Sequence, residues 1–445
     1  MEFIKIRVAA MKKRNLLLCL TGAFLMGFLW RVRGTGGWGA AWGLLNAGFV
    51  FTLFLTAAMR RRKGPSLRLI ALTSFSFMLT APAWGTLLNQ ITGVLGGMPD
   101  GAQPVYISPF AGVLLMALMG FGLAAVFGVL FGRCFSDKPW RLRDYLVLLA
   151  VFFIVMYGAK ASIAHPAVKL IQPEAARQFQ AGLTAAGIEK TPFSAYLAHF
   201  NAEGWAKKID GGRHYYACVS AVSSALAAAA CILTARFYVK DRFAARIGAA
   251  LCGAFAFSIC LADLFFFFAN GGYHGEQGFS LPENFAAWSL WEYFTGFVAG
   301  GIVTALTLRF APREDTKETV LAKLPPKPLG AVTFVLCCVG AIGLNVVRPV
   351  LRRMKDSSFL IPAAVLAAVL AVTFCLVLCK KFGFSFERAD ARRFPAMLCF
   401  TLVAYIFIVY MFVGAPQIGN MHAAHNVLVA VSFAVCEAAA IKLSI

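Results

Sequence analysis

The stretch LVLLAVFFIVMYGAKASI, running from Leu146 to Ile163, decides the fold. Its only charged side chain is Lys160, near the end. As a helix rising 1.5 Å per residue it covers about 27 Å, most of the roughly 30 Å hydrocarbon layer of a bilayer. Ile361–Cys379 repeats the pattern, and similar runs recur on both sides of it. Hydrophobic residues make up 60% of the chain and charged residues 14%, where a soluble domain carries about a quarter. The pattern predicts an all-α, polytopic transmembrane helical bundle.

Setting apolar runs against basic loops gives about twelve crossings. The first six are Leu16–Trp30, Trp38–Met59, Leu69–Asn89, Phe110–Phe131, Tyr145–Ile163 and Tyr215–Ala235. The second six are Arg246–Phe268, Phe285–Leu308, Leu329–Val347, Phe359–Cys379, Phe394–Val413 and His422–Ile441. Residues 1–445 then form one integral-membrane domain, with a basic N-terminus over 1–15, a helical external loop over 164–213, and six-span halves over 16–238 and 246–441. The N-terminal cluster, Arg60–Lys63, Arg133–Arg143, Arg236–Arg246, Arg309–Lys327 and Lys380–Arg393 fall on one face. The positive-inside rule makes that face cytoplasmic, with both termini inside, as in a multi-pass protein of a bacterial-type plasma membrane.

A net charge of +22 would suggest nucleic acid in a soluble chain. Here the basic residues sit at the ends of apolar runs, beside anionic lipid head groups, so the lipid bilayer is the expected partner and nucleic acid is not. Most of the twelve cysteines lie inside apolar runs and form no paired C-x-x-C array, so they read as small apolar filler. Leu16–Trp30 follows Lys12, Lys13 and Arg14 as a signal peptide would, but Arg31-Val32-Arg33 offers no small-residue cleavage site. An uncleaved first span is expected.

Two external loops break the charge rule. One carries Arg31 and Arg33; the other carries Arg348, Arg352, Arg353 and Lys355. Such residues call for an anionic ligand, a partner carboxylate or outer-leaflet phosphates. Asp263 and Glu292 fall inside consecutive antiparallel spans, each roughly 10–12 Å below the outer surface. The loop between them adds His274 and Glu276. Tyr157 and Lys160, Asn345 and Arg348, and the trio His422, His425 and Asn426 each share a helical face near the same side. In the inner half the one intramembrane carboxylate is Glu437.

Gly34-Thr35-Gly36-Gly37-Trp38-Gly39 matches a dinucleotide fingerprint only by letter, because no strand precedes it. Two compatible readings remain: a turn whose N–H groups cradle an anion, or a hairpin packed closely through Gly39-x-x-x-Gly43 and Gly296-x-x-x-Gly300. In the large external loop, Pro173–Lys190 and Pro192–Asp210 read as short helices opened by proline. Phe193, Tyr196, Leu197, Phe200 and Trp205 give the second an apolar stripe suited to a membrane surface or a vestibule cap.

These features predict a transporter or flippase for an anionic substrate, lipid-linked ones included. Arg31, Arg33, Lys160, Arg348, Asn345 and Trp38 would bind it. Asp263, Glu292 and His274 would carry a coupling proton or sodium ion, or act as base, with His422, His425 and Asn426 in support. The other reading is a membrane-embedded transferase acting on a lipid-linked phosphate or saccharide at the external face. Neither needs a cofactor or a metal. The histidine spacings are not those of a metal motif, and no serine or cysteine lies in a nucleophile motif.

Overall fold

The structure, a computed structural model, describes residues 2–35, 39–59, 65, 67–80, 108–200, 203–206, 208–269, 287–310, 399, 402–403, 406–407 and 423–444. The described residues are helical and contain no strand. Five helices are long and apolar enough to cross a membrane: Lys13–Arg33, Leu142–Lys160, Gly212–Tyr238, Arg242–Leu264 and Leu290–Phe310. A sixth arises if Phe110–Leu123 and Ala125–Cys134 count as one span, though they meet at a 45° bend. The apolar run Phe110–Phe131 reads as one straight crossing, because no proline or charge inside it announces the break. Leu329–Val347, Phe359–Cys379 and most of Phe394–Val413 lie outside the described residues.

The chain clusters into two compact units. The first comprises Met1–Met78, Cys134–Asp137 and Gly296–Ile445. In it, α1 (Glu2–Thr35) packs along α2 (Gly39–Ala58) and along α14 (Ala423–Ser444), and α3 spans Leu67–Leu79. The portion of α13 (Ala287–Phe310) from Gly296 onward crosses α1 through glycine. A side chain at Gly296 would run into the Met26 carbonyl oxygen and the Trp30 Cβ, and one at Gly300 into the Gly22 carbonyl oxygen. The hydroxyls of Thr52, Thr56, Thr73, Thr304 and Thr307 each donate to the carbonyl four residues earlier. Apolar helices without water thus satisfy their polar groups internally.

The second unit comprises Leu79–Arg133 and Lys138–Thr295. Its centre is α11 (Gly212–Leu233), which packs on α4 (Pro109–Leu123) and on α6 (Leu142–Lys160), while α12 (Arg242–Ala269) also packs on α4. Gly122 meets Ser224 of α11. Gly120 meets the Phe255–Ala256 backbone of α12, and Gly132, in α5 (Ala125–Cys134), meets Ala244. Four short helices cover one end of this unit: α7 (Ala164–Ile171), α8 (Pro173–Ala185), α9 (Pro192–Ala198) and α10 (Glu203–Ala206).

The opposite end is fastened by Asp241. Its Oδ1 accepts the Ala244 N–H, capping α12, while Oδ2 accepts the Trp140 indole N–H at 2.9 Å from the loop before α6. Asp241→Ala removes the cap and leaves a buried indole N–H unmet, at a cost of about 2–3 kcal/mol. The expected result is a lowered unfolding temperature for the full chain in detergent. Asp241→Asn, which keeps one acceptor oxygen, should fall between Ala and the parent; an Ala variant as stable as the parent would refute the latch.

Candidate functional site

In the first unit, Arg31 and Arg33 end α1 and are buried, at 1% and 3% exposure. The guanidinium carbon of Arg33 lies 4.8 Å from the centroid of the Trp30 ring, in reach of its negative face. Its stem occupies the space that a side chain at Gly43 of α2 would need. The second glycine of Gly39-x-x-x-Gly43 therefore makes room for an arginine rather than for a bare backbone. Trp30 in turn packs on Phe77, ring centroids 6.0 Å apart. Arginine at the end of an apolar helix usually reaches outward to water. This pair is folded inward instead, at the cost of desolvation.

The predicted carboxylates fall in the second unit. Asp263 of α12 is buried and Glu292 of α13 is half-buried. Lys160, the last residue of α6, is 3% exposed, with its ammonium 5.7 Å from the centroid of the Tyr157 ring. Trp38, His274, Asn345, Arg348 and His422 lie outside the described residues. His425 and Asn426 are placed only to the extent that α14 contains them.

The best-defined polar cluster is one that sequence reasoning missed. His165, in the first turn of α7, is buried between α6, α9 and α11. Its Nε2 lies 2.7 Å from the Lys160 carbonyl oxygen, and its Nδ1 lies 2.7 Å from the Tyr215 hydroxyl. A carbonyl only accepts, so Nε2 carries the proton and Nδ1 accepts from Tyr215. The ring also meets Phe193 at 4.5 Å and Tyr196 at 4.8 Å, edge-on in both cases. Burial pushes the His165 pKa down, partly offset by the bond to the Lys160 carbonyl, and burial also pushes the Tyr196 phenol up. The neutral forms of both are the stable ones.

Neighbouring contacts complete the layer. Tyr216 donates to the His199 carbonyl, Tyr196 packs on Tyr216 at 4.4 Å, and His199 stacks on Trp205 at 3.8 Å. Gly211, at φ 68°, opens α11 in a left-handed conformation with its bare Cα against the Gln178 and Phe179 backbone. Gln178 donates to Asp210. Tyr157 and Lys160 stand out in the sequence, but a lone histidine before Pro166 gives no periodic signal.

The predicted helix Pro192–Asp210 is two pieces, α9 and α10, broken near His199–Phe200. The break divides the expected stripe. Tyr196 turns inward to His165 and is buried, Phe193 meets the same ring yet stays partly exposed, and Leu197 and Phe200 face outward. Pro173–Lys190 likewise stops as a helix at Ala185, with Gly187 at φ 69° just beyond. Compared with protein-family models, curated proteins and solved structures, the chain matches none.

Proposed function

We propose that the chain is a multi-pass membrane transporter of the flippase kind for an anionic substrate, with lipid-linked phosphates in that class. The inward-folded pair Arg31 and Arg33 carries the reading: ionisable side chains held inside apolar bundles mark substrate or ion paths. Guanidinium groups suit bidentate binding of phosphate or carboxylate. Lys160, in the second unit, and Arg348, Asn345 and Trp38 are further candidates for contacts to an anion. Asp263 and Glu292, with His274, take a coupling proton or sodium ion. Both termini are cytoplasmic in this proposal, so the arginine pair lies at the outward end of α1.

A fluorescently tagged polyprenyl phosphate, reconstituted with the protein in vesicles, tests the reading through its loss of protection from an impermeant quencher. Removing one charge-assisted contact is worth about 1.5–3 kcal/mol, so Arg31→Ala or Arg33→Ala should slow movement roughly 10- to 100-fold. Lys at either position should rescue poorly, because it loses the planar fork. Movement equal to the parent in both Ala variants would reject the assignment. Chemical modification of the tag lipid without movement would point to the transferase.

A further inference from the structure

We infer that α9 is an interfacial helix whose row Phe193, Leu197 and Phe200 rests in lipid, at the level where α6 leaves the hydrocarbon layer. The buried residues of α6 are Asp144, Leu148, Phe152, Met156, Ala159 and Lys160, and α11 packs on this helix. The opposite stripe, Leu142, Leu146, Ile154 and Tyr157, is exposed, Ile154 to 71%. Spacings of four, eight and three residues, at 3.6 residues per turn, set these within about a third of the helix circumference. In an apolar span of bilayer length, that side faces lipid.

The stripe does not stop at the end of the span. Tyr157 is stacked on Phe153, and its ring lies 5.9 Å from the ring of Phe200. Phe200 follows α9, whose outward side presents Leu197 and the exposed part of Phe193, a ring that also meets His165. The inward side presents Ala195 and Tyr196, both buried. Tyr196 is tied to His165 and to Tyr216, so the helix cannot roll to hide the outward row without breaking that core. Exposed apolar surface therefore continues from the lipid-facing side of α6 onto α9, while the Lys160 ammonium that approaches the Tyr157 ring belongs to a buried residue. Aromatic side chains gathered at the end of a span are what the boundary between hydrocarbon and head groups favours. Polar Thr191, Ser194 and Lys190 at the start of α9 suit the head-group side of such a helix.

This proposal requires embedding in a membrane but not transport, so its failure and that of the proposed function are distinguishable. Photoreactive benzoyl-phenylalanine can replace Phe193, Leu197 or Phe200, one at a time, in the full chain reconstituted in phosphatidylethanolamine–phosphatidylglycerol vesicles. Ile154 on α6 serves as the reference position. After irradiation, intact mass measurement should show addition of one phospholipid at all three α9 positions, as at Ile154. A dimer-sized adduct would mean that a second copy covers the row, and a crosslink within the chain would mean that another segment does; either overturns the inference. So does a lipid adduct at Ile154 with none on α9, or no lipid adduct at Ile154, because the α9 row continues the α6 stripe.

Discussion

Alanine at Gly300 or at Gly296 is expected to weaken the protein sharply, and leucine at either is expected to leave no folded material. An added Cβ at Gly300 would overlap the Gly22 carbonyl oxygen and crowd Met26, and at Gly296 the Met26 carbonyl oxygen and Trp30. These neighbours are largely backbone, which cannot step aside as a flexible side chain can. Overpacking of this kind costs about 1–3 kcal/mol for the smallest intrusion, and more for a branched one. The crossing of α1 by α13 in the first unit also rests on close approach, because hydrocarbon gives helices no hydrophobic reason to pair. Gly301 provides the contrast. A Cβ there would be 3.4 Å from the Ala23 Cβ, an ordinary contact, so Gly301→Ala should be nearly neutral. Melting curves of the three alanine variants in detergent decide the matter: equal losses at 296, 300 and 301 would refute the crossing.

The second large effect is expected at His165. Alanine there removes two hydrogen bonds, worth about 0.5–1.5 kcal/mol each, and empties a space enclosed by Phe193, Tyr196 and Tyr215. With the void, the loss should reach about 2–4 kcal/mol. Amide exchange over residues 164–198 should then quicken, while α12 keeps its protection. Acid should act in the same direction. Burial lowers the folded-state pKa of His165 below its ordinary value near 6.5, so the unfolded layer binds more protons than the folded one. The stabilisation is therefore full above that ordinary value and drains away as the pH falls below it. Protonation would place a buried imidazolium facing Tyr215 of α11 and Tyr196 of α9, beside Lys160 of α6, with no carboxylate among these groups. An alanine variant whose exchange in this segment has the same acid dependence as the parent would refute the role of His165.

The all-helical class, with helices long and apolar enough to cross a membrane, was legible because an apolar run of fixed length has one dominant use, and α6, α11, α12 and α13 lie close to where their runs predict. Gly296-x-x-x-Gly300 was legible as a packing face for a similar reason: small residues one turn apart have few roles in lipid. The bend between α4 and α5 was not, since composition is blind to how glycines at 120, 122 and 132 meet different neighbours. Nor was the division of Pro192–Asp210. An aromatic stripe reports that rings share a side of a helix, not which ring will find a histidine from another segment. His165 itself is a tertiary fact. Its partners lie 5 and 50 residues away, and no local pattern joins them.

The fastenings at the two ends of the second unit have a mechanical consequence. Trp140 is bound to Asp241 at one end, and His165 ties the Lys160 carbonyl to Tyr215 at the other. Bolted top and bottom, α6 and α11 form a strut that resists shear along their length. In the proposed transporter, a gating stroke would have to carry the pair as a rigid lever or find its hinge elsewhere in the chain.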